Sequence, residues 1–417
     1  MKVYKFGGAS VQDAKAIMNV ASILKECQNE QVLVVISALG KTTNAMENVV
    51  SAICDHDKNV QTLLTNVKNV HLNIINELNM NSSLVLNNEI ENLFLELECM
   101  AEIGYEGQDY DFIYDQVVPY GELLSSKILS YYLLSTGVKN QWIDARNFIL
   151  TDARHRDAKV RWAECEHMIS RRLKPLAEKN LVITQGFIGK GPAGETTTLG
   201  REGSDYSAAI FSYCLDAEDL TIWKDVDGLM NADPRKFEEA ELIKTISYKD
   251  TIELAYYGAS VIHPKTMQPL RAKKIPLLVK SFVNPKAVGT RVDENAGELS
   301  IACFIHKENQ ILIQCGTKDF TFIVEEQLSQ IMAILAKYKL VVRIMQNSAL
   351  SFMVAGDHRK NTDLILQALN DAGFEPKLEE NLQLLTVYNS DEMPAKLKGK
   401  TILMQQQTAS SAHYLYR

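Results

Sequence analysis

A chain of 417 residues, 46% hydrophobic and 23% charged, has material for two or three packed globular domains. Its net charge of −8 at pH 7 disfavours a general nucleic-acid or membrane-surface role, and no apolar run approaches membrane-spanning length. The seven cysteines are scattered without a Cys-x-x-Cys pair, and the eight histidines lack ligand spacing; both point to reduced thiols and away from a zinc site.

Met1-Lys-Val enters a strand directly, so no signal peptide is expected. That strand (Val3, Tyr4, Phe6) ends in Gly7-Gly8, and Ser10-Val-Gln-Asp13 has the spacing of a capping box opening an amphipathic helix. Paired glycines let backbone amides approach an anion, a helix start attracts it, and Lys5 adds a cation. A tight turn with a solvated lysine has the same local pattern. No P-loop occurs anywhere in the chain.

Gln31–Ala38 reads as a buried parallel strand running into the hydroxyl-rich turn Ser37–Asn44. Residues from about 44 to 100 show helical spacing and no strand signal, which predicts a helical insertion. Glu89, Glu91, Glu96 and Glu98 fit a solvated helix face better than a metal cluster. Pro119 suits the first turn of another helix, carrying Glu122. Leu181–Ile188 reads as a further buried strand. Gly189–Gly194 matches Gly-x-Gly-x-x-Gly, yet Glu195–Leu199 returns as a strand, so the segment is a hairpin tip and not a dinucleotide site. Helical spacing resumes at Ala208, so Gly203-Ser204-Asp205 should open a helix with Arg201 just before it. Asp219–Gly228 is a strand and turn, and Ile275–Ser281 a last core strand.

From Ile301 the pattern becomes βαββαβ: strands near 311–315, 341–345, 350–354 and 382–388, with helices over Val324–Leu340 and Asp363–Ala372. The stretch Asp391–Gly399 is too short for a further helix, and Ser410–Tyr416 reads as a returning edge strand.

Lys5-Phe-Gly-Gly-Ala-Ser-Val11 resembles the Lys-Phe-Gly-Gly-Thr-Ser-Val signature of aspartokinases, within the amino-acid kinase family, with Ala9 in place of threonine. Leu199-Gly-Arg-Glu-Gly-Ser-Asp-Tyr206 resembles the family's Leu-Gly-Arg-Gly-Gly-Ser-Asp-Tyr, with Glu202 replacing a glycine. The likeness continues to about residue 293. It implies a three-layer α/β catalytic domain over 1–293 with a mostly parallel sheet and a helical insertion over about 44–135. It also implies an α+β, ACT-like regulatory and dimerisation region over 294–417, with a shortened second copy.

The resemblance assigns catalysis to Lys5, Asp205 and Arg201. It assigns the acceptor to Ser37, Thr43, Glu122, Arg201 and Ser204, and ATP to Lys5, Gly7, Gly8, Ser10, Lys224, Asp225, Met230, Arg235 and Ser260. In many family members a hydroxyl residue stands at Lys224 and a lysine at Ser260, so Lys224 is expected to supply the cation that Ser260 lacks.

The implied activity is a cytoplasmic, homodimeric aspartate kinase using ATP, with Mg²⁺ carried on the ATP phosphates and no metal bound by the protein alone. An aspartate carboxyl of pKa near ~3.9 needs no general base, so the site's task is to align two anions and offset their repulsion. A glutamate or acetylglutamate kinase and a non-catalytic amino-acid sensor are the competing readings. Because the sequence ends at Arg417 with no dehydrogenase segment, a monofunctional enzyme is expected. Arg343, beside the turn Gln346–Ala349 where inhibited members carry an acidic residue, leads to an expectation of weak or absent lysine inhibition.

Overall fold

The computed structural model describes residues 1–103, 107–259, 262–317, 321–390, 392 and 394–417. It divides into two compact units: Met1–Leu229, Leu242–Ile252 and Val261–Glu298 form the first, and Met230–Glu241, Glu253–Ser260 and Leu299–Arg417 the second.

The strands of the first unit are β1 (Lys2–Phe6), β2 (Val32–Ile36), β3 (Asn140–Trp142), β4 (Leu181–Gln185), β5 (Ile188–Lys190), β6 (Thr196–Thr198), β7 (Asp219–Lys224), β8 (Thr245–Ile246), β9 (Leu277–Ser281) and β10 (Thr290–Val292). Eight of them form one sheet in the order β3-β4-β2-β1-β7-β9-β10-β8. It is parallel from β3 to β9, and β10 turns antiparallel against β9. β2 and β4 are buried along their whole length, as their unbroken apolar runs require. Helix Tyr120–Ser135 packs on β2, β3 and β4, and helix Gly203–Leu215 on β1, β2 and β7. This is the mostly parallel α/β class expected from the sequence. β5 and β6 pair as an antiparallel hairpin, so Gly189–Gly194 is a hairpin tip as read.

Two local readings require correction. The first helix starts at Ala14, not at Ser10: Gly8–Val11 is a 3₁₀ turn, and the Asp13 carboxylate accepts from Ala16 N at 2.8 Å as the cap. Both residues are good caps by type, and the tight turn after β1 leaves the role to the second. The strand read as Leu181–Ile188 is two strands, because Phe187 takes φ +72° between β4 and β5.

Between β2 and β3 the chain is helical: Thr42–Cys54, Val60–Glu77, Leu84–Ile103, Tyr110–Val117 and Tyr120–Ser135. Three of the four glutamates singled out here are engaged singly. Glu89 pairs with Lys127, Glu91 with Lys68 at 2.6 Å, and Glu96 accepts from Tyr120 at 2.8 Å.

The second unit contains β11 (Cys303–Thr317), β12 (Val342–Asn347), β13 (Ser351–Asp357), β14 (Phe374–Tyr388), β15 (Ile402–Gln407) and β16 (Ser411–Tyr416), a six-stranded antiparallel sheet in the order β12-β13-β11-β14-β16-β15. Helices Glu325–Lys337 and Thr362–Asp371 complete βαββαβ, contributing Ile331, Leu335, Ile365 and Leu369 to a core with Ile311, Ile313 and Val354. A 3₁₀ turn, Ala395–Leu397, lies between β14 and β15. β16 is not an edge strand. It hydrogen-bonds to β14 on one side and β15 on the other and is buried throughout, so the edge falls to β15. Pairing order is a long-range property that the returning pattern alone does not encode.

Candidate active site

β4, β2, β1 and β7 are parallel neighbours, so their carboxyl ends open on one edge of the sheet, where ligands of open α/β sheets bind. A cavity of about 490 Å³ lies there, within the first unit. β1 brings Lys5 and Gly8 to it, the turn after β2 brings Ser37, Ala38, Gly40 and Thr43, and β7 brings Lys224. The loop after β6 and the start of helix Gly203–Leu215 add Gly200, Arg201, Glu202, Gly203, Ser204 and Asp205.

Close backbone approaches hold these pieces together. Gly40 N donates to Gly8 O at 3.1 Å, and a Cβ on Gly8 would lie 3.0 Å from Gly40 O. A Cβ on Gly186 would lie 2.5 Å from Ser204 Cβ, so only glycine lets the end of β4 meet the helix start. Ser125 Oγ donates to Ser37 O at 2.7 Å, tying the Glu122 helix to the turn after β2.

At one end of the cavity Lys5 Nζ lies 2.6 Å from Asp205 Oδ1, and Lys224 Nζ 3.6 Å from Asp205 Oδ2. Burial by itself would raise the Asp205 carboxyl, but the two ammoniums outweigh it and hold the group below the usual carboxylate range. A carboxylate gripped by two lysines cannot accept a proton at neutral pH. It serves instead to hold two cations over whatever anion enters.

Glu122 shows the opposite balance. It is buried, its Oε2 has no hydrogen-bond partner among the described residues, and burial pushes its carboxyl up to about 8 against the opposing amides of Ala38 and Glu122 and the charge of Lys5. A ligand ammonium placed there would draw the proton off. Acceptor binding should therefore strengthen as pH rises: kcat/KM for an α-ammonium acceptor is expected to climb through about pH 8 in the wild type, following the deprotonation of Glu122. Glu122→Gln should remove that rise and leave a weaker, flat profile. A rise of unchanged midpoint in the variant would assign the titration to another group.

Of the residues singled out from sequence, Lys5, Gly8, Ser37, Thr43, Glu122, Arg201, Ser204, Asp205 and Lys224 line this cavity together. A Cβ on Gly7 would lie 3.2 Å from Lys5 Nζ, so that glycine leaves room for the ammonium. Ser10 is buried in the 3₁₀ turn with an unpartnered hydroxyl, and Asp225 is exposed just past β7. Met230 and Arg235 belong to the second unit, where Arg235 pairs with Asp233 at 3.0 Å. Ser260 falls outside the described residues. Tyr114, Arg156 and Phe187 also line the cavity without any motif to announce them. Strand order alone would have flagged Phe187, one residue past the Gly186 approach; nothing flags the other two.

The amino acid kinase family model matches residues 1–281. The lysine-sensitive aspartokinase 3 of Escherichia coli (strain K12) is 31% identical over 408 residues, covering 96% of this chain and 89% of that protein. The chloroplastic bifunctional aspartokinase/homoserine dehydrogenase 2 of Arabidopsis thaliana is 34% identical over 294 residues, and the match spans 69% of this chain but only 32% of that protein. The chain thus matches about a third of the length of such bifunctional relatives. The crystal structure of E. coli aspartokinase III with lysine and aspartate superposes with a TM-score of 0.85 at 30% identity, covering 100% of this chain and 95% of that one. The same enzyme with aspartate and ADP gives 0.82 at 29% identity, covering 100% and 96%.

Proposed function

The chain belongs to the amino acid kinase family, among the aspartokinases, and from that membership we propose that it transfers the γ-phosphoryl group of ATP to the side-chain carboxylate of L-aspartate. The products are ADP and 4-phospho-L-aspartate, the first intermediate of lysine, threonine and methionine synthesis. The observation that carries the reading is the Lys5–Asp205–Lys224 cluster at one end of a cavity whose other lining residues include Glu122 and Arg201.

Phosphoryl transfer between two anions asks little covalent chemistry of a protein. Lys5 and Lys224 neutralise charge on the phosphates, the more effectively because Asp205 holds them in place and burial lowers the local dielectric. The aspartate carboxylate attacks phosphorus, the bond to the ADP oxygen breaks, and no proton moves. Glu122 takes the α-ammonium and Arg201 the α-carboxylate, which orients the reacting end toward Lys5. Ser37, Thr43 and Ser204 complete the acceptor subsite. Gly7, Gly8 and Ser10 serve the phosphate side, with Asp225, just past β7, on the nucleotide. Mg²⁺ would be held through the ATP phosphates and would offset their charge, since Asp205, the carboxylate beside Lys5 and Lys224, is already committed to two ammoniums.

Catalysis resides in residues 1–293, and residues 294–417 serve regulation and homodimerisation in a cytoplasmic enzyme. ATP turnover with aspartate against glutamate, with the acyl phosphate trapped by hydroxylamine, tests the reading. Hydroxamate formed from aspartate, and far less from glutamate, is the expected result. Equal rates, or none with either, would overturn it.

A further inference from the structure

Non-glycine residues with positive φ are sparse in this chain, and Arg156 (+61°), Phe187 (+72°) and Glu202 (+53°) all line the one cavity. Such backbone is strained for any residue with a side chain and persists where the surrounding structure and its use demand it. Arg156 is held with particular care. Its backbone N–H reaches both oxygens of buried Asp115 at 3.2 and 3.1 Å, and Asp115 also accepts from Thr198 N and Oγ1. Its guanidinium lies 4.4 Å from the centre of the Tyr114 ring, and Nη1 donates to Asp111 at 3.2 Å. Tyr114 is itself fixed by a hydrogen bond to Glu47 at 3.2 Å.

One of the guanidinium's five N–H donors is therefore engaged by Asp111, while Nε and Nη2 have no acceptor among the described residues. Arg201 is exposed, as Arg156 is, but has no hydrogen-bond or ion-pair partner among the described residues. A planar cation stacked on an aromatic face with an unused edge is preorganised to receive a carboxylate through parallel hydrogen bonds. Arg201 must be ordered by the ligand and pay for that in entropy; Arg156 is already in place.

Resting on the reading above, we propose that Arg156 is a specificity-determining residue of the acceptor subsite, binding the non-reacting α-carboxylate of aspartate together with Arg201. The reacting carboxylate belongs at the Lys5–Lys224 end, so a cation on the Tyr114 wall meets the group that stays behind. Arg156 reaches the cavity from left-handed backbone in the loop before helix Trp162–Met168.

Arg156→Gly removes the side chain at a backbone conformation glycine prefers, and Arg156→Lys keeps the charge without the planar fork. Each is compared with wild type on L-aspartate and on its α-amide, which lacks the inert carboxylate. Arg156→Gly is expected to raise KM for aspartate about tenfold, with KM for ATP and kcat within about twofold, as for loss of a contact made equally in ground and transition states. Arg156→Lys should recover part of the loss. On the α-amide, kcat/KM should differ little between wild type and Arg156→Gly. An unchanged KM for aspartate, an equal loss on the amide, or a loss confined to ATP would overturn the assignment. Absence of aspartate turnover in the wild type would instead overturn the functional reading, and this assignment with it.

Discussion

Replacing Lys5 with alanine is expected to lower kcat by roughly a hundred- to a thousandfold, the scale on which single preorganised donors to a developing charge are measured. Lys5 Nζ is nearly buried, lies 2.6 Å from Asp205, and opens onto the cavity at the end of β1. In that setting its charge is poorly screened, and its contact with the transferred phosphoryl strengthens as negative charge redistributes in the transition state. The variant should still fold, because Asp205 retains Lys224 and no buried carboxylate is stranded. Asp205→Asn keeps the shape of the site but releases both ammoniums, and a loss of similar size is expected. Steady-state kinetics at saturating aspartate and ATP, with circular dichroism to confirm the fold, decides the matter. A Lys5→Ala enzyme within about threefold of wild-type kcat would remove the residue from the chemistry.

Lys224→Ala should raise KM for ATP at least about tenfold while KM for aspartate changes little; a charge-assisted contact of about 1.5–3 kcal/mol corresponds to one to two decades of affinity. Lys224 ends β7, the parallel neighbour of β1, one residue beyond Trp223, and reaches Asp205 Oδ2 while Lys5 takes Oδ1. Two ammoniums on one carboxylate form a fixed pair of cations for a polyphosphate. Isothermal titration with a non-hydrolysable ATP analogue separates a loss of affinity from an effect on turnover. Unchanged nucleotide affinity in Lys224→Ala would remove its ammonium from the nucleotide subsite.

Much of the site was legible because its signals are local. A strand that ends in Gly7-Gly8 and a helix opening at Gly203-Ser204-Asp205 declare themselves through periodicity and through positions where a Cβ does not fit. The buried runs of β2 and β4 likewise follow from composition. The hairpin at Gly189–Gly194 could be told from a dinucleotide loop because the residues after it spell a strand rather than a helix. The likeness to a known family then joined Lys5 to Asp205 across 200 positions, which no local rule accomplishes.

Other features are products of packing. Asp13 rather than Ser10 caps the first helix because the turn after β1 must close before the helix begins. The place of β16 inside its sheet depends on which strands reach it from elsewhere in the chain. Glu122 in sequence is an ordinary first-turn glutamate, and only enclosure beneath the turn after β2, with one oxygen left unpartnered, pushes its carboxyl up to about 8.

By itself, then, the sequence determined the fold class, the order of the elements and many of the residues that line the cavity, because hydrophobic period, glycine placement and charge act over a few neighbours. The tertiary structure alone decided which further residues close it. Tyr114, Arg156 and Phe187 come from a helix and two loops far apart in the chain. Their side chains meet through left-handed backbone and a stacked ring, and both depend on contacts the chain makes only after it has closed.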